Sequence, residues 1–290
     1  MLPFLKMKIY LIIFFCSAYL FAGEDSIFIF EHSNQSKIPV YVSKPDVINN
    51  DTRLVVVMHG RKRNAEEYRN QWKEYSKELN LFVVVPEFSE QSFPGVFGFN
   101  YGNIIDSEGN EIPTEDQLFA YILPLIKQIQ KNYNLNERWG IYGHGAGAHF
   151  VHRMVLHRPE IPYTLAIAAN LGWYLTPENI NWPFGLTNSG ISDEMLSKAY
   201  SNYFLLMLGK SDLSTTPNTP YVASIFDKVT AQGQHRLDRG RNFFKGSIEK
   251  AKELDVFLKW GMVEVPTKDG HSNTQQMVPY AAELFYERLR

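Results

Sequence analysis

The sequence lacks most of the features that quickly assign a protein to a class. Its single cysteine, Cys16, lies in the N-terminal apolar segment, so neither a disulfide nor a cysteine nucleophile is expected in the rest of the chain. It has no run of five or six like charges, and its formal net charge is −2, which gives no general electrostatic case for a nucleic-acid partner. No repeat, low-complexity block or linker divides the 290 residues, of which 44% are hydrophobic. One globular domain with a sizeable core is the expectation.

Long hydrophobic runs are also missing. The most apolar stretch, 9–22, has 14 residues, well short of the ~20 that a membrane-spanning helix needs. It follows Lys6 and Lys8 and ends in a small residue before a polar segment, a pattern typical of a cleaved export signal. We therefore expect a signal peptide over 1–22, a single domain over 23–290, no stable membrane anchor, and an exported protein that is periplasmic or extracellular.

Apolar runs alternate with segments of helical spacing along the rest of the chain. Short β-rich runs at 26–30 and 38–43 predict an antiparallel pair. Continuous apolar runs, typical of strands buried on both faces, follow at 53–60, 81–88, 138–144, 163–170, 203–209 and 256–265. Helices are predicted at 65–79, 115–133, 146–157, 240–254 and 274–289. This alternation predicts an α/β fold with a doubly wound, mostly parallel sheet and helices on both faces, with ligands bound beyond the carboxyl ends of the strands.

The stretch 143–147, GHGAG, has the outline of G-x-S-x-G, the turn that carries a serine nucleophile between a strand and a helix. Gly145 stands at the serine position. The turn holds its central residue in a strained conformation that glycine adopts freely, so the fold tolerates this residue easily. The chemical consequence is severe, because glycine has no side-chain oxygen.

Other candidates also follow predicted strands. Asp212 is a candidate acid and His271 a candidate base, since ester hydrolysis needs a histidine that accepts a proton and an acid that holds it. The backbone N–H groups of Arg61 and Ala146 are candidate donors to an oxyanion. The chain order is nucleophile position, acid, then histidine.

Longer segments carry a resemblance: VVVMHGRKRNAEEYRNQW, VVPEFSEQSFPG, YGNI, GHGAGAHFVHRMVLHRPE, AANLGWY, QGQHRLDRGRNFF and DGHSN. From about residue 50 to the C-terminus the chain resembles a bacterial α/β-hydrolase family related to polyhydroxybutyrate depolymerases and similar esterases. The resemblance implies the α/β-hydrolase fold, Asp212 and His271 as acid and base, and Arg61 and Ala146 lining the oxyanion hole. It also implies a serine at position 145, and there this chain departs from the family.

Two functions follow as hypotheses. The first is a catalytically weak or inactive esterase-like or depolymerase-like protein that binds a small-molecule or polymeric ester. The alternative is an active ester hydrolase in which His271 activates a water molecule. Ser211 and Ser272 neighbour the acid and the histidine in sequence, but nothing places either on the turn, so a replacement nucleophile is disfavoured, as is a chance run of glycines.

Aromatic and basic residues offer further candidates. Four rings on a loop after a predicted strand suggest a substrate-binding surface, with loop packing as an equal alternative: Trp173, Tyr174, Trp182 and Phe184. Three arginines could bind an anion, although a solvated helix face with ion pairs is favoured: Arg236, Arg239 and Arg241.

No metal site and no cofactor are expected. Four histidines lie in or beside the helix that follows the turn: His144, His149, His152 and His157. Three of them would have to converge to hold a metal ion, and no H-E-x-x-H or comparable spacing supports this. Packed or polar helix positions are the favoured interpretation.

Overall fold

A computed structural model describes residues 25–32 and 37–290. The proposed signal peptide, with Lys6, Lys8 and Cys16, therefore lies outside the described residues. Among the residues that are described, no helix is both long and apolar enough to cross a membrane.

In the described part of the chain, eight strands form one sheet in the order β1-β2-β4-β3-β5-β6-β7-β8. The strands are β1 (Ser26–Phe30), β2 (Ile38–Ser43), β3 (Arg53–Met58), β4 (Leu81–Pro86), β5 (Trp139–His144), β6 (Leu165–Ala169), β7 (Phe204–Gly209) and β8 (Trp260–Val265). Strand β2 pairs antiparallel with β1 and with β4, and all other neighbours are parallel. The predicted doubly wound, mostly parallel α/β sheet is confirmed.

Helices cover both faces of the sheet. They are α1 (Ala65–Glu78), α2 (Phe119–Tyr133), α3 (Ala146–His157), α4 (Asp193–Tyr200), α5 (Pro220–Ser224), α6 (Phe226–Ala231), α7 (Arg236–Glu253) and α8 (Thr274–Arg288). Alternate residues of each central strand point to opposite faces, because the side-chain period of a strand is two. Val55 and Val57 pack with α1 and α8, whereas Leu54 and Val56 pack with α2, α3 and α4. Both faces are apolar, which explains the continuous hydrophobic runs.

Three predicted boundaries are wrong. Helix α2 begins at Phe119, because Thr114–Asp116 form a separate 3₁₀ turn and Gln117 has an extended backbone. Helix α7 begins at Arg236, four residues before the predicted start, with the His235 side chain accepting from the Asp238 N–H. Strand β8 begins only at Trp260.

Candidate active site

The turn at Gly145 is built by the backbone. Gly145 joins β5 directly to α3 with φ 56° and ψ −111°, a left-handed conformation that costs a side-chain-bearing residue about 1–3 kcal/mol. Its N–H donates to the Ala169 carbonyl at 3.0 Å, and its carbonyl accepts from the His149 N–H at 3.1 Å. A Cβ on Gly147 would lie 2.2 Å from the Met58 carbonyl oxygen, so the helix start packs against the end of β3 with no room for a side chain. This turn has the strand-to-helix geometry expected of the G-x-S-x-G motif.

His271 and Asp212 lie together beside this turn. His271 follows β8, Asp212 follows β7, and His271 Nδ1 donates to Asp212 Oδ2 at 2.8 Å. A carboxylate can only accept, so Nδ1 carries the proton and Nε2 has the free lone pair of the neutral ring. A Cβ added to Gly145 would lie 3.3 Å from this Nε2. The structure thus brings Gly145, Asp212 and His271 to one point at the carboxyl edge of the sheet.

Arg236 completes the surroundings of Asp212. Its guanidinium Nη1 donates to Asp212 Oδ1 at 3.2 Å, so both carboxylate oxygens have a partner. Asp212 is fully buried, and burial raises its pKa, but the hydrogen bond from His271 and the charges of His271 and Arg236 outweigh burial. The net pKa is lowered, which keeps Asp212 ionised. The favoured interpretation of a solvated helix face with ion pairs is wrong in part: Arg236 forms an ion pair with Asp212, but Arg236 and Arg239 are only 8% and 4% exposed.

His144 lies on the other side of His271. The two rings stack with centroids 5.1 Å apart and an interplanar angle of 27°. His144 Nε2 lies 3.0 Å from Asn273 Oδ1, and Asn170 Nδ2 donates to the same oxygen at 2.7 Å. Burial lowers the pKa of His144 to about 3, with a contribution from the charge of His271. His144 is therefore a neutral member of a buried polar network behind the candidate base.

The histidines of α3 support the loop after β6. His149 Nε2 accepts from the Gly172 N–H at 3.1 Å, and His152 Nε2 accepts from the Leu175 N–H at 3.1 Å. Burial lowers the pKa of both rings well below the usual range, and the charge of Arg153 adds to this. Within 25–32 and 37–290, no group of three or more His, Cys, Asp or Glu side chains is arranged to hold a metal ion. These nitrogens instead hold the loop backbone.

The two expected oxyanion donors follow β5 and β3. Ala146 is the first residue of α3, so its N–H is among those that have no partner within the helix. Arg61 is exposed in the tight turn after β3, where the Arg63 N–H donates to the Gly60 carbonyl at 3.1 Å. Their role in holding an oxyanion stays a prediction.

The four aromatic residues differ in their positions. Tyr174 is fully buried and stacks on Phe243 with centroids 4.5 Å apart, so core packing replaces the expected pocket-lining position. Trp173 is 4% exposed, donates from Nε1 to the Tyr101 hydroxyl at 3.1 Å and packs against His149. Phe184 is buried and Trp182 is half-buried. For Trp173, Trp182 and Phe184 substrate contact stays a prediction.

The two serines considered as replacement nucleophiles, Ser211 and Ser272, differ in their surroundings. Ser211 Oγ lies 2.7 Å from Thr267 Oγ1 and accepts from the Gly270 N–H at 3.1 Å, which fixes the loop that carries His271. Ser272 is exposed. A Cβ at Gly145 would meet only His271 within 4 Å. No described serine therefore lies against the position that a nucleophile would occupy.

Comparison with known proteins places this geometry in a superfamily. The structure is similar to that of poly(aspartic acid) hydrolase-1 from Sphingomonas sp. KT-1, with 34% identity over 91% of this chain and 99% of that chain and a TM-score of 0.83. It is also similar to a poly(3-hydroxybutyrate) depolymerase from Bordetella parapertussis, with 26% identity over 91% of both chains and a TM-score of 0.82. An S-formylglutathione hydrolase from Agrobacterium tumefaciens, at 17% identity and a TM-score of 0.56, shares the fold over 93% of this chain and 97% of that chain.

No family model and no curated protein matches the sequence. The relatives at 34% and 26% identity are a hydrolase and a depolymerase, and their TM-scores of 0.83 and 0.82 show that they share the fold of this chain. The chain belongs to the α/β-hydrolase superfamily.

Proposed function

We propose that this chain binds an ester, either a small molecule or a polymer, and that its own hydrolytic activity is weak or absent because Gly145 stands at the nucleophile position. One observation carries the proposal. The residue at the turn between β5 and α3 has no side chain, yet its Cβ position would lie 3.3 Å from the nitrogen that would activate a nucleophile.

The missing oxygen removes the covalent route. A serine hydrolase forms an acyl-enzyme through its side-chain oxygen, and glycine cannot do so. Loss of the nucleophile from a serine protease costs about 2 × 10⁶ in kcat and leaves roughly 10³–10⁴ over the reaction in water. A chain with an intact binding surface and an intact oxyanion hole would therefore retain ligand binding and a small residual rate.

A second candidate function is direct hydrolysis by water, and the paired state of Asp212 and His271 favours it. His271 Nε2 would take a proton from a water molecule near Gly145, and the resulting hydroxide would attack the ester carbonyl. The Arg61 and Ala146 amides would stabilise the oxyanion of the tetrahedral intermediate. The imidazolium would then return its proton to the leaving alcohol, while Asp212 stabilises the positive charge. Neither function requires a metal ion or a cofactor.

The site is tested with the purified protein and a panel of short-chain and long-chain esters. The first proposal predicts binding without turnover above a His271→Ala control, and no stoichiometric labelling by a fluorophosphonate. Turnover that disappears in His271→Ala, still without labelling, supports water activation. Labelling that maps to Ser211 or Ser272 contradicts both.

Export is part of the proposal. Residues 1–22 are proposed as a signal peptide and 23–290 as one domain, periplasmic or extracellular, on the basis of the short apolar run after two lysines. N-terminal sequencing of the protein from the producing cell should find a start near Gly23. A product that retains Met1 in the membrane fraction contradicts it.

A further inference from the structure

The three arginines at the start of α7 have different partners. Arg236 pairs with Asp212, and exposed Arg241 forms two hydrogen bonds with Glu264. Arg239 is 4% exposed, and among the described residues no carboxylate lies within 4 Å of it. Its Nη1 donates to the Gly233 and Gln234 carbonyls, whereas its Nε is buried without a hydrogen-bond partner among the described residues. Burial and the charge of Arg236 lower its pKa to about 10, although the charges of Tyr174, Asp212 and Asp238, none of which is in direct contact as an ion pair, act to raise it; Arg239 therefore remains a cation.

Arg239 lines a cavity. A space of about 480 Å³ lies between the loop after β6, helix α6 and helix α7. This volume falls within the range of small-molecule sites. Gly145, Asp212 and His271 do not line it, so it is separate from the candidate active site. Phe184 and Phe243 give it apolar walls.

Lys228 is a second cation in the same cavity wall. It is exposed and lies over the Phe184 ring at 5.5 Å, and within the described part of the chain no acidic oxygen lies within 4 Å of it. Glu178 is the one acidic residue in the lining, and it accepts a long 3.4 Å hydrogen bond from Thr176. The lining therefore has an excess of positive charge.

A buried charge normally has a partner, because removing an ion from water without compensation is costly. Arg153 is also buried without a carboxylate, but it lies over the Tyr101 ring at 4.2 Å and does not line this cavity. Arg239 differs because open space adjoins it. An anion in that space would supply the opposite charge, and the phenylalanine rings would cover an apolar body.

We propose that this cavity is a binding site for a small organic carboxylate with an apolar body, whose carboxylate lies between Arg239 and Lys228 and whose hydrocarbon part contacts Phe184 and Phe243. The site does not depend on the function proposed for Gly145 and His271. Its ligand is recognised by one negative charge together with an apolar chain, so neither part alone binds well.

The test is a calorimetric titration of the purified protein with hexanoate, 1-hexanol and acetate. Hexanoate should bind at one site, at least about tenfold tighter than 1-hexanol, which has the chain without the charge, and than acetate, which has the charge without the chain. Equal binding of hexanoate and 1-hexanol overturns the proposal. It is also overturned if no binding is seen with hexanoate at about 10 mM, which is tenfold above a dissociation constant of about 1 mM.

Variants separate this cavity from the candidate active site. Lys228→Met should weaken hexanoate binding about fivefold and Glu178→Gln should strengthen it severalfold; both side chains are exposed, so folding is not at risk. Arg239→Met should weaken it at least tenfold. Lys245→Met removes a cation from the same helix outside the cavity and should change nothing.

His271→Ala and Gly145→Ser should also bind hexanoate as the wild type does. Binding lost in His271→Ala would place the ligand in the candidate active site and overturn the proposal. Unchanged hexanoate binding in both Lys228→Met and Glu178→Gln would also overturn the proposal. These two variants decide the test if Arg239→Met does not fold.

Discussion

His144 and His271 are the same residue type, stacked 5.1 Å apart, in opposite situations. His271 has a 31% exposed side chain and a carboxylate partner, so it can exchange a proton with solvent or ligand. His144 is 3% exposed, lies against the amides of Asn170 and Asn273, and has a pKa lowered to about 3 by burial. Exposure and the partner, not the residue type, decide which of the two can serve as a base.

The same distinction separates His271 from the other interior histidines. His59, His149 and His152 are almost completely buried, and burial lowers the pKa of each. Each of these rings accepts a backbone hydrogen bond at Nε2, from Phe88, Gly172 and Leu175 respectively. The protein therefore uses neutral histidines as structural acceptors and keeps one paired histidine at the site.

The largest effect that we expect is a loss of stability in acid. Among the described residues, burial lowers the pKa of five histidines, which stay neutral in the folded state, whereas in the unfolded chain each binds a proton below about pH 6.5: His59, His144, His149, His152 and His157. Their contribution is complete above that pH and is lost as the pH falls, at up to about 1.4 kcal/mol per pH unit for each group. The free energy of unfolding from urea titrations should fall by on the order of 5 kcal/mol between pH 7 and pH 5.

A single variant tests the assignment of this effect. His59→Phe removes one titrating group in a site where the ring already stacks on Phe99, with centroids 4.5 Å apart. The variant is expected to be less stable at pH 7, because the Phe88 N–H loses its acceptor, but its stability should depend less steeply on pH. A slope equal to that of the wild type would contradict a neutral His59.

The next effect is a gain of activity in Gly145→Ser. The backbone already has the turn conformation, and the new side chain would reach His271 Nε2. Hydrolysis of small activated esters should rise by at least about 10²-fold, well below the ~10⁶ of a fully tuned triad, because small misplacements weaken catalysis. Initial rates and fluorophosphonate labelling measure the gain.

Two double variants control this gain. In Gly145→Ser/His271→Ala the activity should return to background, and in Gly145→Ser/Asp212→Asn it should fall sharply, because the imidazole loses its orienting acceptor. A folded Gly145→Ser protein that is neither active nor labelled would show that other parts of the site are not suited to catalysis.

The fold could be predicted largely from sequence, since β3 to β7 are continuous apolar runs and each one is buried on both faces. Boundaries failed where local signals were weak. A histidine N-cap at His235 is not a usual helix start, which explains why the predicted start of α7 is too late. The short helices α4, α5 and α6 are absent from the prediction, although Ser192 and Thr219 are usual N-cap residues for α4 and α5.

The candidate site was predictable in part. Residues after parallel strands must meet at one edge of the sheet, so the approach of Asp212 and His271 to Gly145 followed from their positions in the chain. The Arg236–Asp212 ion pair could not be predicted from the sequence, because residue spacing does not show which face of α7 packs on the sheet. The burial of Tyr174 could not be predicted either, because it depends on contact with Phe243, which lies on α7.

A third prediction separates the two stacked histidines by stability. His144→Gln should destabilise the protein by about 1–3 kcal/mol, because Asn170 and Asn273 are buried and lose a partner. His271→Gln should cost less than about 1 kcal/mol, because its side chain is partly exposed. Urea unfolding at pH 7 measures both. Equal losses would contradict the division into a structural and a functional histidine.

The smallest effect concerns Arg236, which acts on His271 only through Asp212. Its charge is one of the causes that keep the pKa of Asp212 low, although burial raises that pKa. In Arg236→Met the pKa of Asp212 should therefore rise, which ¹³C NMR of the labelled carboxyl can follow. In the Gly145→Ser background, kcat should fall about threefold to tenfold and the acid limb of the pH–activity profile should move to higher pH, since a protonated Asp212 cannot stabilise the imidazolium. Arg236→Lys should restore part of the charge effect, and Arg241→Met, which removes an exposed arginine from the same helix, should leave the profile unchanged. A uniform loss of activity with no shift of the acid limb would mean that Arg236 has only a packing role. The orientation and charge stabilisation of the His271 ring would then depend on Asp212 without a contribution from Arg236.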